Sequence, residues 1–173
     1  MIKELKKENM IFLSQIFVIG GIFGFVYEEI FYYFDLGYFV KRGSTFGPWI
    51  PIYAFGSILI YLLCKKYKNK PILIFILGSL ISGILEFVTG YVLYHFFNLR
   101  LWDYNTEILN FGNIGGYICF RSVLFFGISS LFLFYGIVPV LKKICSINNK
   151  VINIISIILF LLFIVDIVIN IFL

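Results

Sequence analysis

Apolar residues run along this chain in five long stretches, at about 10–34, 50–63, 72–97, 117–141 and 152–173. Polar residues collect between them. The hydrocarbon core of a bilayer is roughly 30 Å thick, so a spanning helix needs about 20 mostly apolar residues at about 1.5 Å each. The pattern therefore predicts an all-α fold, a polytopic bundle of about five spanning helices. The second stretch is the shortest, unless Pro48, Trp49 and the residues before them enter the membrane as a broken or re-entrant piece. Backbone of that kind persists at membrane depth only when it is buried in protein or lines a wet cavity.

Composition agrees with the pattern: 61% of the 173 residues are hydrophobic and 13% charged, with a mean hydropathy of +1.01. Soluble domains run nearer half apolar and a quarter charged. The net charge of +5 does not point to nucleic acid, because the basic residues fall at helix ends rather than in one stripe. They set orientation instead. Lys3, Lys6 and Lys7, then Lys65, Lys66, Lys68 and Lys70, then Lys142, Lys143 and Lys150 share one side of a five-helix arrangement. Lys41, Arg42, Arg100 and Arg121 are left for the other. The positive-inside rule then predicts a multi-pass protein of the cell membrane, amino terminus in the cytoplasm and carboxyl terminus outside. The first stretch is read as an uncleaved anchor, since no small-residue cleavage site follows it. Cys64, Cys119 and Cys145 form no CxxC, metal or disulfide spacing and are read as packing residues. Without a linker, repeat or low-complexity tract, residues 1–173 are expected to form a single integral membrane domain.

The polar residues inside the apolar stretches carry the functional signal. Gly20, Gly24 and Glu28 recur at intervals of four, so they share one helix face, and Glu29 is turned about 100° from it. Small residues let a neighbouring helix approach closely. Glu28 is thus expected to point into the protein and Glu29 to the outer interface. Ser79, Gly83, Glu86 and Gly90 repeat the arrangement in the third stretch, with Glu86 about 22 Å along the helix from Pro71. A carboxylate at that depth needs a partner, a cavity or a proton, because facing lipid in ionised form costs on the order of 2.5 kcal/mol or more. Asp166 and Asn170 form another i, i+4 pair, and Arg121 enters from the outer end of the fourth stretch. Glu28, Glu86, Asp166 and Arg121 could meet in one layer; the blander alternative is a Glu86–Arg121 salt bridge that only fixes helix packing. Glu28 and Asp166 could equally be solvated helix ends, and His95 an interfacial residue.

The two connections on the outer side are richer than the short basic ones opposite. "RGSTFGPWIPIYAFG", Arg42 to Gly56, joins a fixed charge to glycines that permit tight turns and prolines that restrict them. "LWDYN", Leu101 to Asn105, suits an aromatic belt or a polar ligand, with Asp103 as its acid. With "YEE" at Tyr27 to Glu29, "EFVTGY" at Glu86 to Tyr91 and "NIGGYICFRS" at Asn113 to Ser122, these segments make an ordered set. It resembles the CmpB-like family of ABC-transporter type IV membrane proteins. The resemblance runs through most of the chain from the first apolar stretch to the fourth and implies a polytopic protein with a transport role. Ala54 departs from it, standing where a glycine would be expected after Pro-Ile-Tyr.

No GxxxxGK[ST] loop is present to cradle a nucleotide's phosphates, so an ATP-driven motor would be a separate ATPase subunit. The leading reading is a small membrane subunit of a transport system, a permease component with an outward-facing polar cavity. Glu28, Arg42, Glu86, Asp103 and Arg121 would bind a substrate or lipid head group there, with no cofactor and no metal. The alternative is an integral membrane enzyme acting on a lipid-linked substrate at the outer face, with Glu86 as general base and Arg42 or Arg121 holding a phosphate. No serine nucleophile or histidine pair selects a reaction. A third reading is a scaffold whose charges only hold helices in register. Expected partners are membrane lipids, the separate ATPase and further copies of the chain, and no nucleic acid.

Overall fold

The structure is a computed structural model that describes residues 10–147 and 149–172, without the side chains of residues 171 and 172. Lys3, Lys6 and Lys7 therefore lie outside the described residues. Among the described residues six α-helices follow one another: α1 (Met10–Leu36), α2 (Pro51–Cys64), α3 (Pro71–Phe97), α4 (Phe120–Phe132), α5 (Val138–Ile147) and α6 (Lys150–Phe172). Among the described residues there is no strand, only one isolated bridge between Ile114 and Ile118. A π-helical turn, Leu133–Ile137, joins α4 to α5 into one continuous rod. Pro139 explains that turn. It has no N–H to give and its ring crowds the carbonyl four residues back, so the ladder shifts and Val138 N–H donates to Leu133 O instead.

Four helical segments are long and apolar enough to cross a membrane: Met10–Leu36, Pro71–Phe97, Phe120–Ile147 and Lys150–Asn170. The second apolar stretch is different. Helix α2 has 14 residues, about 21 Å, well short of the hydrocarbon core. Its missing length is supplied by non-helical chain. After α1 ends at Leu36, the backbone returns alongside that helix until Ile50 N–H donates to Gly21 O at 3.0 Å. Gly21 lies about 22 Å before the end of α1 at helical rise. The segment before Pro51 is therefore a re-entrant piece, and it is buried as such a piece must be. Thr45 is 1% exposed, Trp49 8% and Ile50 6%; Thr45 Oγ1 donates to Trp49 O, and the Trp49 indole stacks on Phe163 at 4.8 Å between centroids.

Glycine closes two helix seams. On α1, a Cβ on Gly20 would strike Ser57 and one on Gly24 would strike the Tyr53 ring, so the face predicted from the four-residue spacing is the one that meets α2. Helices α3 and α4 interlock reciprocally: Gly78 receives Ser130, and Gly127 receives Ser79. Contact this close lets backbones approach where no hydrophobic force drives helices together in lipid. Gly78→Leu should accordingly destabilise the α3–α4 pair by about 1–3 kcal/mol through overpacking. Gly56→Ala should be neutral or slightly stabilising, since its Cβ would meet only Leu85 at 3.5 Å. Unfolding of the purified protein in detergent micelles checks both, and equal losses would contradict this account of the seams.

Two apolar clusters lie inside the bundle. Towards the basic loops, Phe12, Ile16, Tyr61, Ile74, Phe134 and Leu141 pack together. Phe17, Val18, Trp49, Ala54 and Phe163 tie α6 to α1 and the re-entrant segment. The polar groups occupy the opposite end, beneath the two long loops.

Candidate functional site

The second long loop, between α3 and α4, is a hydrogen-bonded cap. Asn98 ends α3 in the left-handed conformation (φ 54°), and Leu99 N–H reaches back to Leu93 O at 3.0 Å. Tyr104 N–H donates to Gly116 O at 3.1 Å, drawing the two limbs of the loop together. Gly116 has φ +80° and a Cβ there would collide with Arg100, Asp103 and Asn105, so only glycine fits. Asn113 and Asn105 complete the clasp through their side-chain amides at 2.7 Å.

This cap delivers Tyr104 and Glu107 into the protein. The Tyr104 hydroxyl donates to Glu86 Oε1, and the Ser122 hydroxyl donates to Glu86 Oε2 at 2.8 Å. Ser122 stands in the first turn of α4, whose start is capped by Cys119 and Ser122 together. Glu86, 5% exposed, therefore sits close to a helix amino terminus, where a carboxylate is favoured. Burial and the neighbouring Glu86 carboxylate push the Tyr104 phenol well above its ordinary range, so it remains an O–H donor at neutral pH.

Beside it stands an ion pair. Arg121 Nη2 lies 2.5 Å from Glu107 Oε2, and the Tyr32 hydroxyl donates to Glu107 Oε1. The Arg121 guanidinium also covers the Phe31 ring at 3.7 Å. Its Nε and Nη1 atoms are buried with no protein partner among the described residues. They border a cavity of about 30 Å³ that is walled by Tyr27, Glu28, Glu86, Glu107 and Ser122. That is space for one or two water molecules.

A larger cavity of about 500 Å³ adjoins this chamber. Its lining includes Arg42, Arg100, Ser44 and Thr89, and it shares Glu28, Ile52 and Trp102 with the small chamber as a common wall. Arg42 Nε is 3.3 Å from Glu28 Oε2, and its guanidinium lies 3.5 Å above the Tyr32 ring. Arg42 N–H donates to Glu29 Oε1 at 2.8 Å. The polar groups thus run unbroken from Arg42 through Tyr32 and Glu107 to Arg121.

Sequence reasoning and structure can be compared residue by residue. Glu28, Glu86 and Arg121 do border one cavity, and Arg42 joins it through Glu28. The alternative of a packing-only Glu86–Arg121 salt bridge is not realised, because Glu107 takes the guanidinium and Glu86 is held by two hydroxyls. Glu29 is not spent on the interface; it anchors the Arg42 backbone. Asp103 stays in the loop, 3.1 Å from Arg100 and bonded to the Asn105 amide. Asp166 lies apart from the carboxylate layer. It accepts Phe46 N–H, Gly47 N–H and Trp49 Nε1–H at 2.9, 2.8 and 2.7 Å, fixing the re-entrant segment to α6. His95 is exposed beside the Tyr117 hydroxyl at 3.1 Å, in keeping with an interfacial residue. Trp102 and Tyr104 are not belt residues: Trp102 Nε1–H donates to Tyr117 O and Tyr104 is buried.

Glu107, Tyr32 and Ser122 were missed. A signal for Glu107 did exist: an arginine inside an apolar span requires a counter-charge, and the connecting loop holds only Asp103 and Glu107 as acids.

A family model described as "Putative ABC-transporter type IV" matches residues 15–171, nearly the whole described chain. The chain belongs to this family. It is thereby an ABC-transporter-related membrane protein, and the match extends through α6, beyond the motifs that first suggested the kinship. No curated protein and no solved structure matches the chain. For this member of the type IV family, the polar chamber and the cavity beside it are the features that call for a function.

Proposed function

We propose that this protein is a small integral component of a transport system of the cell membrane, which receives its substrate or a lipid head group in the 500 Å³ cavity at the loop face. The short basic connections Lys65–Tyr67 and around Lys142 to Lys150 favour the cytoplasm, which turns the cavity outward. One observation carries the reading: a sizeable cavity whose polar wall contains Arg42, Glu28 and Arg100 lies directly against a buried chamber of three glutamates and Arg121. Binding sites are commonly concave and mostly apolar, with a few converging polar groups. Membrane-embedded charges mark functional positions by default.

In this arrangement Arg42 and Arg100 meet an anionic group, and Glu28 meets a hydroxyl or amine. Glu86 and Arg121 line the chamber behind the shared wall, where Glu86 and Glu28 border the same small space. Since the chain has no nucleotide-binding loop, a separate ATPase supplies the energy.

The test is gentle purification from native membranes, with mass spectrometry of co-purifying proteins and bound small molecules. An ATPase should accompany the wild type and the Arg42→Gln and Glu86→Gln variants alike. A bound molecule should accompany the wild type and be lost from both variants, although they insert normally. Recovery without an ATPase, or retention of the molecule by both variants, would overturn the proposal.

A further inference from the structure

The bundle closes unevenly. Seams α1–α2 and α3–α4 are drawn tight by Gly20, Gly24, Gly78 and Gly127, but α2 and α3 face each other with bulky residues. Gly56 does not close that seam, its nearest neighbour being Leu85 at 3.5 Å from a notional Cβ. Below the loops the α2–α3 seam remains a groove of about 310 Å³, lined by Leu59, Leu63, Ile81, Ile84, Leu85 and Val88. Leu85 also lines the 500 Å³ cavity. The two spaces therefore meet at Leu85, the cavity with polar groups in its wall and the groove wholly apolar.

The cavity forms a polar mouth above the groove. Arg42, Arg100 and Glu28 are its ionisable lining groups. Arg42 meets Glu28 through Nε at 3.3 Å, and Arg100 uses Nη2 for Asp103 and Gly115 O. Each guanidinium has five N–H donors in a fixed fork, so both retain donors for an oxyanion, and Arg matches phosphate geometry well. Ser44 adds a hydroxyl at the same mouth.

From this combination we infer that the α2–α3 groove holds one anionic phospholipid of the bilayer, its phosphate between Arg42 and Arg100 and one acyl chain along Leu59, Leu63, Ile84 and Val88. The inference rests on the cavity reading above and names its ligand class. Arg42 and Arg100 are paired with Glu28 and Asp103, so it is their spare N–H donors, rather than a net charge, that suit a phosphodiester. A small hydrophilic anion would engage only the mouth, whereas an acyl chain matches the wholly apolar walls beneath it. The short α2 helix makes the site possible, because the re-entrant chain places Arg42 and Ser44 above the groove rather than at a distant helix end.

The experiment is photo-crosslinking in phosphatidylcholine nanodiscs containing a trace of phosphatidylglycerol, or of phosphatidylcholine itself, with a photoreactive acyl chain. Labels should map to the α2 and α3 peptides bearing Leu59, Leu63, Ile84 and Val88, with phosphatidylglycerol favoured about tenfold, because phosphatidylcholine offers the same phosphodiester but adds a choline cation that the two guanidiniums repel. Arg42→Gln and Arg100→Gln should each abolish that preference. Ile84→Trp, at a residue 64% exposed, should fill the groove and reduce labelling by both lipids without disturbing the fold. Equal labelling by the two lipids, or a preference that survives both arginine variants, would overturn the inference. If phosphatidylglycerol shows no preference while a water-soluble molecule still co-purifies in an Arg42-dependent way, only the phospholipid is wrong and the cavity reading stands. If nothing bound depends on Arg42, both fail.

Discussion

Replacing Asp166 by alanine should release the re-entrant segment from α6 and lower stability by about 3–5 kcal/mol. The carboxylate accepts Phe46 N–H, Gly47 N–H and the Trp49 indole N–H, and Asn170 Nδ2 donates to it at 2.9 Å. Alanine would leave three of these donors without their acceptor at a side chain only 7% exposed, and each unsatisfied buried group is costly. Asp166→Asn should be intermediate, because its amide keeps one oxygen as acceptor but turns N–H groups towards donors. Asn170→Ala should cost only about 1 kcal/mol, the net worth of an ordinary hydrogen bond. The local effect can be read apart from global unfolding by introducing Thr45→Cys, at a position 1% exposed. A membrane-impermeant thiol reagent should label it slowly in the parent and much faster with Asp166→Ala. Unchanged labelling would mean that α6 does not hold the segment.

That arrangement also shows what the sequence could and could not disclose. Four spanning segments were legible from apolar length alone, since length against bilayer thickness is a one-dimensional quantity. Inward faces were legible at Gly20, Gly24 and Glu28 because helical spacing converts sequence into direction. The second stretch was read as the shortest of five spanning runs, the alternative being a broken or re-entrant entry that includes Pro48 and Trp49. How deep that entry runs was not legible, because it depends on a bond from Ile50 to Gly21, 29 positions apart, and on Asp166 from the far end of the chain. The same limit governs the charges. Nothing local distinguishes a carboxylate that pairs with arginine from one held by hydroxyls, so Glu107, which the sequence reading passed over, proves to be the partner of Arg121. Asp103, next to an aromatic residue on each side, looked like a site residue and proved to belong to the fold of its loop.

The Glu107–Arg121 pair yields the second large effect. Side-chain exposures of 4% for Glu107 and 13% for Arg121 mean that either partner alone is a charge with little solvent to compensate it. Glu107→Ala should destabilise the protein by about 3–5 kcal/mol, since it also strips the Tyr32 hydroxyl of its acceptor. Arg121→Met should cost less, because methionine can refill the space over Phe31 while Glu107 keeps the Tyr32 bond. The double variant Glu107→Ala with Arg121→Met should recover part of the loss, because no unpaired charge remains. A double-mutant cycle in detergent micelles measures the coupling, which should reach roughly 2–3 kcal/mol in favour of the pair. Additive losses would show that the two residues act independently. A large coupling would instead identify the pair as a fixed structural charge, leaving Glu28, at the wall shared by both cavities, and Arg42 beside it as the charges free to respond to a ligand.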